Sequence, residues 1–230
     1  MKIFQLLPLA DWLALMLFAG AWVGYAWFAR VWSTRRPSLV AATNRYRRYW
    51  MLQATTRDPR VLDGVITQSL SASPSFFAST SILIIGGLFA LLGTTDKAAE
   101  IVREIPFAQP TPMLVFEFKI LVLVAIFVYA FFRFSWSMRQ YVIVGVVVGA
   151  MPSPDDFAQG RFDREDVARR AGDLLGLAAD TFNDGLRAYY FSFAAIGWFF
   201  SPAAFAIATL TVVLVLYVRE FRSDVLAVLG

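Results

Sequence analysis

Long apolar runs broken by polar, arginine-rich stretches set the pattern of this chain. The first run, Leu13 to Phe28, carries no formal charge and is followed by Arg30, Arg35 and Arg36. Crossing a hydrocarbon slab of roughly 30 Å takes about 20 apolar residues, and several runs approach that length. The pattern predicts spans at about 11–32, 75–93, 113–138, 183–200 and 203–218, in a single transmembrane domain covering 1–230 with cytoplasmic loops at 33–73 and 139–182. The expected fold is all-α, a polytopic membrane helical bundle of four to five transmembrane helices plus cytoplasmic amphipathic helices. A four-crossing alternative, with one long helix bent at Pro202, would put Arg219 and Arg222 outside; charge bias favours five.

The polar stretches orient these spans. Between 33 and 73, Arg35, Arg36, Arg45, Arg47, Arg48, Arg57 and Arg60 face only Asp58 and Asp63, and the second polar region carries Arg161, Arg164, Arg169 and Arg170. By the positive-inside rule both lie in the cytoplasm, which places the amino terminus outside and the carboxyl terminus inside an inner (cytoplasmic) membrane. The connection 94–112, with Lys97 and Arg103 against Asp96, Glu100 and Glu104, belongs outside. Leu39, Val40, Tyr46, Tyr49, Trp50, Met51 and Leu52 alternate with arginines in a way that suits a helix lying on lipid headgroups. Val167, Ala171, Leu174, Leu175 and Ala178 recur at helical spacing and lead into the fourth span. Tyr141 to Ala150 is too short to cross and either continues the third helix or re-enters the bundle.

Composition narrows the chemistry. Hydrophobic residues make up 58% of the chain and charged residues 17%, with 22 Phe and neither Cys nor His; a soluble domain carries about a quarter charged residues. Disulfides, thiolate metal sites, histidine-ligated haem and histidine acid–base catalysis are excluded. The formal charge of +4 is clustered, pointing to a lipid bilayer with anionic headgroups as partner and not to nucleic acid. There is no glycine-rich phosphate loop, zinc-binding histidine pair or serine nucleophile elbow. The carboxylates Asp155, Asp156, Asp163, Glu165 and Asp166 lack the spacing of a calcium loop. No enzyme activity, metal or cofactor is therefore expected.

Polar residues at span ends and inside spans are the candidates for function. Ser73 followed by Pro74 reads as a helix start, and Ser71, Ser73 and Ser75 would offer hydroxyls and free amides to an anion there. Glu117 and Lys119 fall about 7 and about 10 Å into the third span, where charge is costly unless it faces the bundle interior or water. They point to different sides and are not expected to pair. Arg133 reads as snorkelling outward. Asn183, Arg187 and Tyr190 enter the fourth span. Gly20 with Gly24, and Gly145 with Gly149, stand four apart and suit close helix packing, in a homo-oligomer or with another membrane protein.

Three blocks, Ser69 to Thr80, Phe118-Lys119 through Phe132-Arg133-Phe134-Ser135, and Phe182-Asn183 through Arg187-Ala188-Tyr189-Tyr190, resemble the bacterial and plant membrane family catalogued as domain of unknown function 599. The resemblance covers nearly the whole chain and implies a multi-pass membrane fold; it implies no mechanism. Two readings remain open. One is a pore or transporter for a small anionic solute, with the polar groups of the second, third and fourth helices lining one cavity. The other is a non-transporting accessory or assembly subunit that binds partner helices through its glycine faces.

Overall fold

The computed structural model describes residues 7–32, 37–95 and 112–229. Lys2, Arg35, Arg36 and most of the 94–112 connection, including Lys97, Arg103 and its acids, lie outside the described residues. Among the described residues the regular structure is entirely helical: α1 Leu9–Trp32, α2 Leu39–Ala54, α3 Val61–Leu92, α4 Met113–Gly149, α5 Pro154–Ala158, α6 Arg164–Gly197, α7 Pro202–Phe221 and α8 Asp224–Leu229. Four stretches, α1, α3, α4 and Pro202–Leu229, are long and apolar enough to cross a membrane.

Their outward faces are apolar as well. Leu13, Val23, Trp27, Phe76, Leu83, Phe132, Ile207 and Leu214 are exposed, and only 11% of the most apolar stretch of α3 is buried inside the protein. Surfaces of that kind are tolerated by lipid and not by water.

The helices alternate in direction. Phe77 of α3 stacks on Phe134 of α4, while Ile85 and Leu88 pack near Phe116 and Ile120, so α3 and α4 are antiparallel. Helix α6 runs back along α4, with Ser137 hydrogen-bonded to the Ala178 carbonyl at one end and Lys119 to the Trp198 carbonyl at the other. Phe18 meets Phe205 and Phe28 meets Phe221, so α1 and α7 are parallel to each other and antiparallel to α6. Although too polar to qualify by composition, the 178–198 part of α6 therefore covers the same thickness as the 119–137 part of α4. One end of the bundle gathers α2, the start of α3, the end of α4, the start of α6 and the end of α7, and with them Arg45, Arg47, Arg48, Arg57, Arg60, Arg139, Arg161, Arg164, Arg169, Arg170, Arg219 and Arg222.

One local expectation is corrected and one open alternative is decided. Ser73–Pro74 does not start a helix: α3 begins at Val61 and carries Pro74 inside it. An internal proline costs about 3 kcal/mol. The extra turns offset this through Asp63, whose Oδ1 accepts from Trp50 Nε1 at 2.7 Å and from Arg57 Nη1 at 2.5 Å, and through Thr67, whose methyl group lies against Gly145 of α4. Tyr141 to Ala150 does not re-enter, because α4 is continuous over 37 residues, about 55 Å. Its last turns bury Tyr141, Val144 and Val148 with Met51 and Ala54 of α2 and Ala171, Leu175 and Ala178 of α6. Helix α2, which the pattern placed on the headgroups, caps this second core while leaving Tyr46 and Tyr49 exposed.

Glycines let α6 sit at the centre. A Cβ at Gly172 would lie 2.9 Å from Arg48, one at Gly176 3.1 Å from Asn44, and one at Gly185 2.5 Å from the Phe134 ring. The glycines singled out by spacing behave differently. No described atom outside the helix lies within 4 Å of a Cβ built on Gly20, Gly24 or Gly149, and Gly145 makes only an ordinary contact. Close packing inside the chain therefore rests on α6 and not on those pairs.

Candidate functional site

Asp184 is buried where α1, α4 and α6 meet. Its Oδ1 accepts from Arg187 Nη1 at 2.8 Å, and its Oδ2 accepts from Arg30 Nη2 at 3.0 Å and from Arg133 Nη2. One turn of α6 places Asp184 and Arg187 on a common face, and α1 and α4 bring the other two guanidinium groups. Arg133 thus turns inward to a carboxylate, correcting the snorkelling expectation. The physical reason is that a buried carboxylate lowers the cost of a cation held within a span. The Arg187 guanidinium also lies over the Tyr25 ring, 5.9 Å from its centroid.

A second polar cluster closes the opposite end. Lys119 is buried, donates to the Trp198 carbonyl at 2.8 Å and sits 5.4 Å from the Trp198 ring centroid. The Trp198 indole N–H donates to Asp11 Oδ1 at 2.5 Å. Helix α6 ends at Gly197, so Lys119 satisfies a carbonyl that would otherwise be left open in an apolar setting. Glu117, two residues away, is half-buried and forms no ion pair among the described residues.

The two clusters do not share a cavity. Asp184 and Trp198 are 14 residues apart on α6, about 21 Å. Rings fill the interval: Phe191 stacks on Trp22 at 5.3 Å, Phe18 packs edge-on to Phe191, and Tyr189 contacts Phe127 and Phe134. The serines belong to neither cluster. Ser73 and Ser75 are exposed on α3, and the half-buried Ser71 donates to the Gln68 carbonyl. Farther along the same helix, Ser81 shares a hydrogen bond with Tyr189 at 2.9 Å. Asn183 is half-buried, and Tyr190 lies under the Arg219 guanidinium, 5.2 Å from its centroid.

Of the candidate ligand-binding residues named from the sequence, only Arg187 lines a sizeable hollow among the described residues. This is a half-open pocket of about 760 Å³ at the arginine-rich end, bordered by the end of α1, the start of α2, the middle of α6 and the end of α7. Arg30, Arg45, Arg48 and Arg187 line it, together with Asp180, Asp184 and Glu220. Most of these charges are already engaged: Arg48 with Asp173 at 2.8 Å, Arg30 and Arg187 with Asp184, and Glu220 Oε1 with the Val40 amide at 3.1 Å. That last contact seats a carboxylate on the amino-terminal turn of α2, where backbone amides attract negative charge. Arg45 forms no ion pair among the described residues and is exposed.

Residues 13–225 match the family described as a protein of unknown function, DUF599. The chain belongs to that family. No curated protein and no solved structure matches it. In this DUF599 protein the sequence reading passed over Asp11, Asp184 and Glu220. Asp184 carried a usable signal, an acid three residues before an arginine within an otherwise apolar stretch. Asp11 and Glu220 sit at span ends, where an acid is unremarkable, and only tertiary contact reveals their burial.

Proposed function

We propose that this protein is a multi-pass protein of the cytoplasmic membrane that takes a small anionic ligand into the pocket at its arginine-rich, cytoplasmic end. The amino terminus lies outside and the carboxyl terminus inside. The observation that carries the reading is the pocket itself, where Arg45 forms no ion pair with a described residue and stands beside Arg30, Arg48 and Arg187. Transport by this route is carrier-like, with the helices rearranging around a bound solute, because ring packing fills the bundle between Arg187 and Lys119. The role is one of binding and transfer, without catalysis.

The test is sulfate binding by the purified protein, followed by sulfate flux in liposomes. Arg45→Gln is expected to weaken sulfate binding about tenfold, the size of one exposed charge-assisted contact. Lys119→Met, at the other end of the bundle, is expected to leave the affinity within about twofold. Equal affinity in the Arg45→Gln variant and the wild type would count against the pocket. Flux lost with Lys119→Met while binding persists would identify Lys119 as part of the route.

The accessory-subunit reading has its own support. An apolar groove of about 460 Å³ runs between α1 and α7, lined by Gly20, Gly24, Leu210, Leu214 and Tyr217. A partner helix, or a second copy in a homo-oligomer, would fit there. The chain has no cysteine, and a side chain at Gly24 meets no described atom, so Gly24→Cys reports on this face directly. Oxidative cross-linking of Gly24→Cys in membranes to a species of twice the mass is the outcome expected of a symmetric dimer; a monomer band alone argues against one.

A further inference from the structure

We propose that the pocket takes its anion together with a proton, and that Asp180 carries the proton. The inference rests on the anion-binding reading above and assigns its coupling partner. Asp180 borders the 760 Å³ pocket and also a smaller hollow of about 280 Å³ formed with Asn44, Arg48, Gly172, Asp173 and Gly176. It stands one helical turn before Asp184 and two before Arg187, on the same face of α6. Asp184 has three guanidinium partners, whereas Asp180 forms no hydrogen bond or ion pair with a described side chain. A carboxylate left in that position is a negative charge that an incoming anion meets without a bonded counter-charge among the described residues, whereas Glu220 is seated on the Val40 amide.

The groups around it are unequal. Helix α2 presents Arg45, Arg47 and Arg48, of which Arg47 is hydrogen-bonded to Thr43 and Asn44, and Arg48 to Asp173. Helix α1 presents Arg30, α4 presents Tyr141 and Arg133, α7 presents Glu220, and α6 itself adds Asp173, Asp184 and Arg187. Asp180 is an exposed residue, yet the protein around its carboxyl pushes it above the ordinary carboxylate range, opposed by Arg47, Arg187 and Arg30 and reinforced by Asp184. The sign follows. Protonated Asp180 removes a negative charge from the pocket and tightens anion binding; the gain is lost as pH rises through the Asp180 pKa. By linkage, a bound anion raises that pKa and draws in a proton. The proton would move with the anion as a neutralising partner, which lowers the cost of carrying charge through an apolar bundle.

The experiment is titration calorimetry of the whole protein in detergent with sulfate, whose charge is constant between about pH 5 and about pH 8. Repeating each titration in two buffers of different ionisation enthalpy counts the protons taken up. The wild type is expected to bind about tenfold tighter at the lower pH and to take up a proton on binding at the higher one. Asp180→Asn is expected to bind equally at both, near the wild-type affinity at low pH, and to take up none. Wild-type binding that ignores pH, or an Asp180→Asn variant that keeps the pH dependence, overturns the coupling and leaves the pocket standing. Absence of sulfate binding by the wild type at either pH overturns the pocket reading and this inference with it.

Discussion

Asp184→Asn is expected to destabilise the protein by about 3 kcal/mol, a value at the low end for removing one partner of a buried ion pair. The carboxylate is the shared acceptor of Arg30, Arg133 and Arg187, so its loss leaves cations from three helices facing one another. The damage is limited by exposure. The Arg30 side chain is 69% exposed and can turn to water or headgroups, while that of Arg187 is only 10% exposed and has nowhere to go. Accordingly, Arg30→Gln should cost less than about 1 kcal/mol. Asp184→Asn combined with Arg187→Gln should be less harmful than the sum of the two, because the orphaned charge is removed with its partner. Reversible unfolding in mixed detergent measures all four. A loss below about 1 kcal/mol for Asp184→Asn would show that the cluster is not what joins α1, α4 and α6.

Gly185→Ala should cost a comparable amount through a different mechanism. The added methyl would sit 2.5 Å from Phe134 Cε1, well inside contact distance. Phe134 is fully buried and held by Phe77, Phe182 and Tyr189, so the ring cannot swing aside and α4 must move off α6. Overpacking of this sort costs about 1–3 kcal/mol, occasionally more, and shrinking the ring with Phe134→Leu should recover part of it. Gly20→Ala supplies the contrast. Its new methyl meets no described atom and alanine is the better helix former, so thermal stability should hold or rise slightly. Equal losses at the two glycines would refute the assignment of helix contact to α6.

Both cases bear on what was legible in the chain. Runs such as Leu13 to Phe28 announce themselves because lipid demands apolar side chains on every outward face, a requirement that acts residue by residue. The glycine spacing rule found Gly20 and Gly24 but not the glycines that matter, since four-residue spacing reports that a backbone is bare and says nothing of what approaches it. Gly172 and Gly176 have the same spacing and do meet α2; their polar surroundings hid them. The serine-rich helix start failed for a related reason. Ser73–Pro74 has the local grammar of an N-cap, yet contacts of the preceding turns with α4 outweigh that preference. Lys119 and Arg187 were visible as costly charges in apolar runs, but their separation by packed rings along about 16 Å of α6, from Arg187 to the Trp198 that holds Lys119, was not, because sequence carries no information on which interior positions face one another.

By itself, then, the order of residues determined a helical, lipid-facing molecule with its arginines clustered between spans, since those properties follow from the solvent each side chain prefers. Tertiary structure alone decided that α6, the most polar of the long helices, runs through the centre, that Asp184 collects three arginines from three helices, and that Asp180 and Arg45, beside a hollow, have no bonded counter-charge among the described residues. Pairing in an apolar interior is settled by which groups meet across helices, where a charge is stable only with its counter-charge in reach. That meeting depends on distances between elements far apart along the chain.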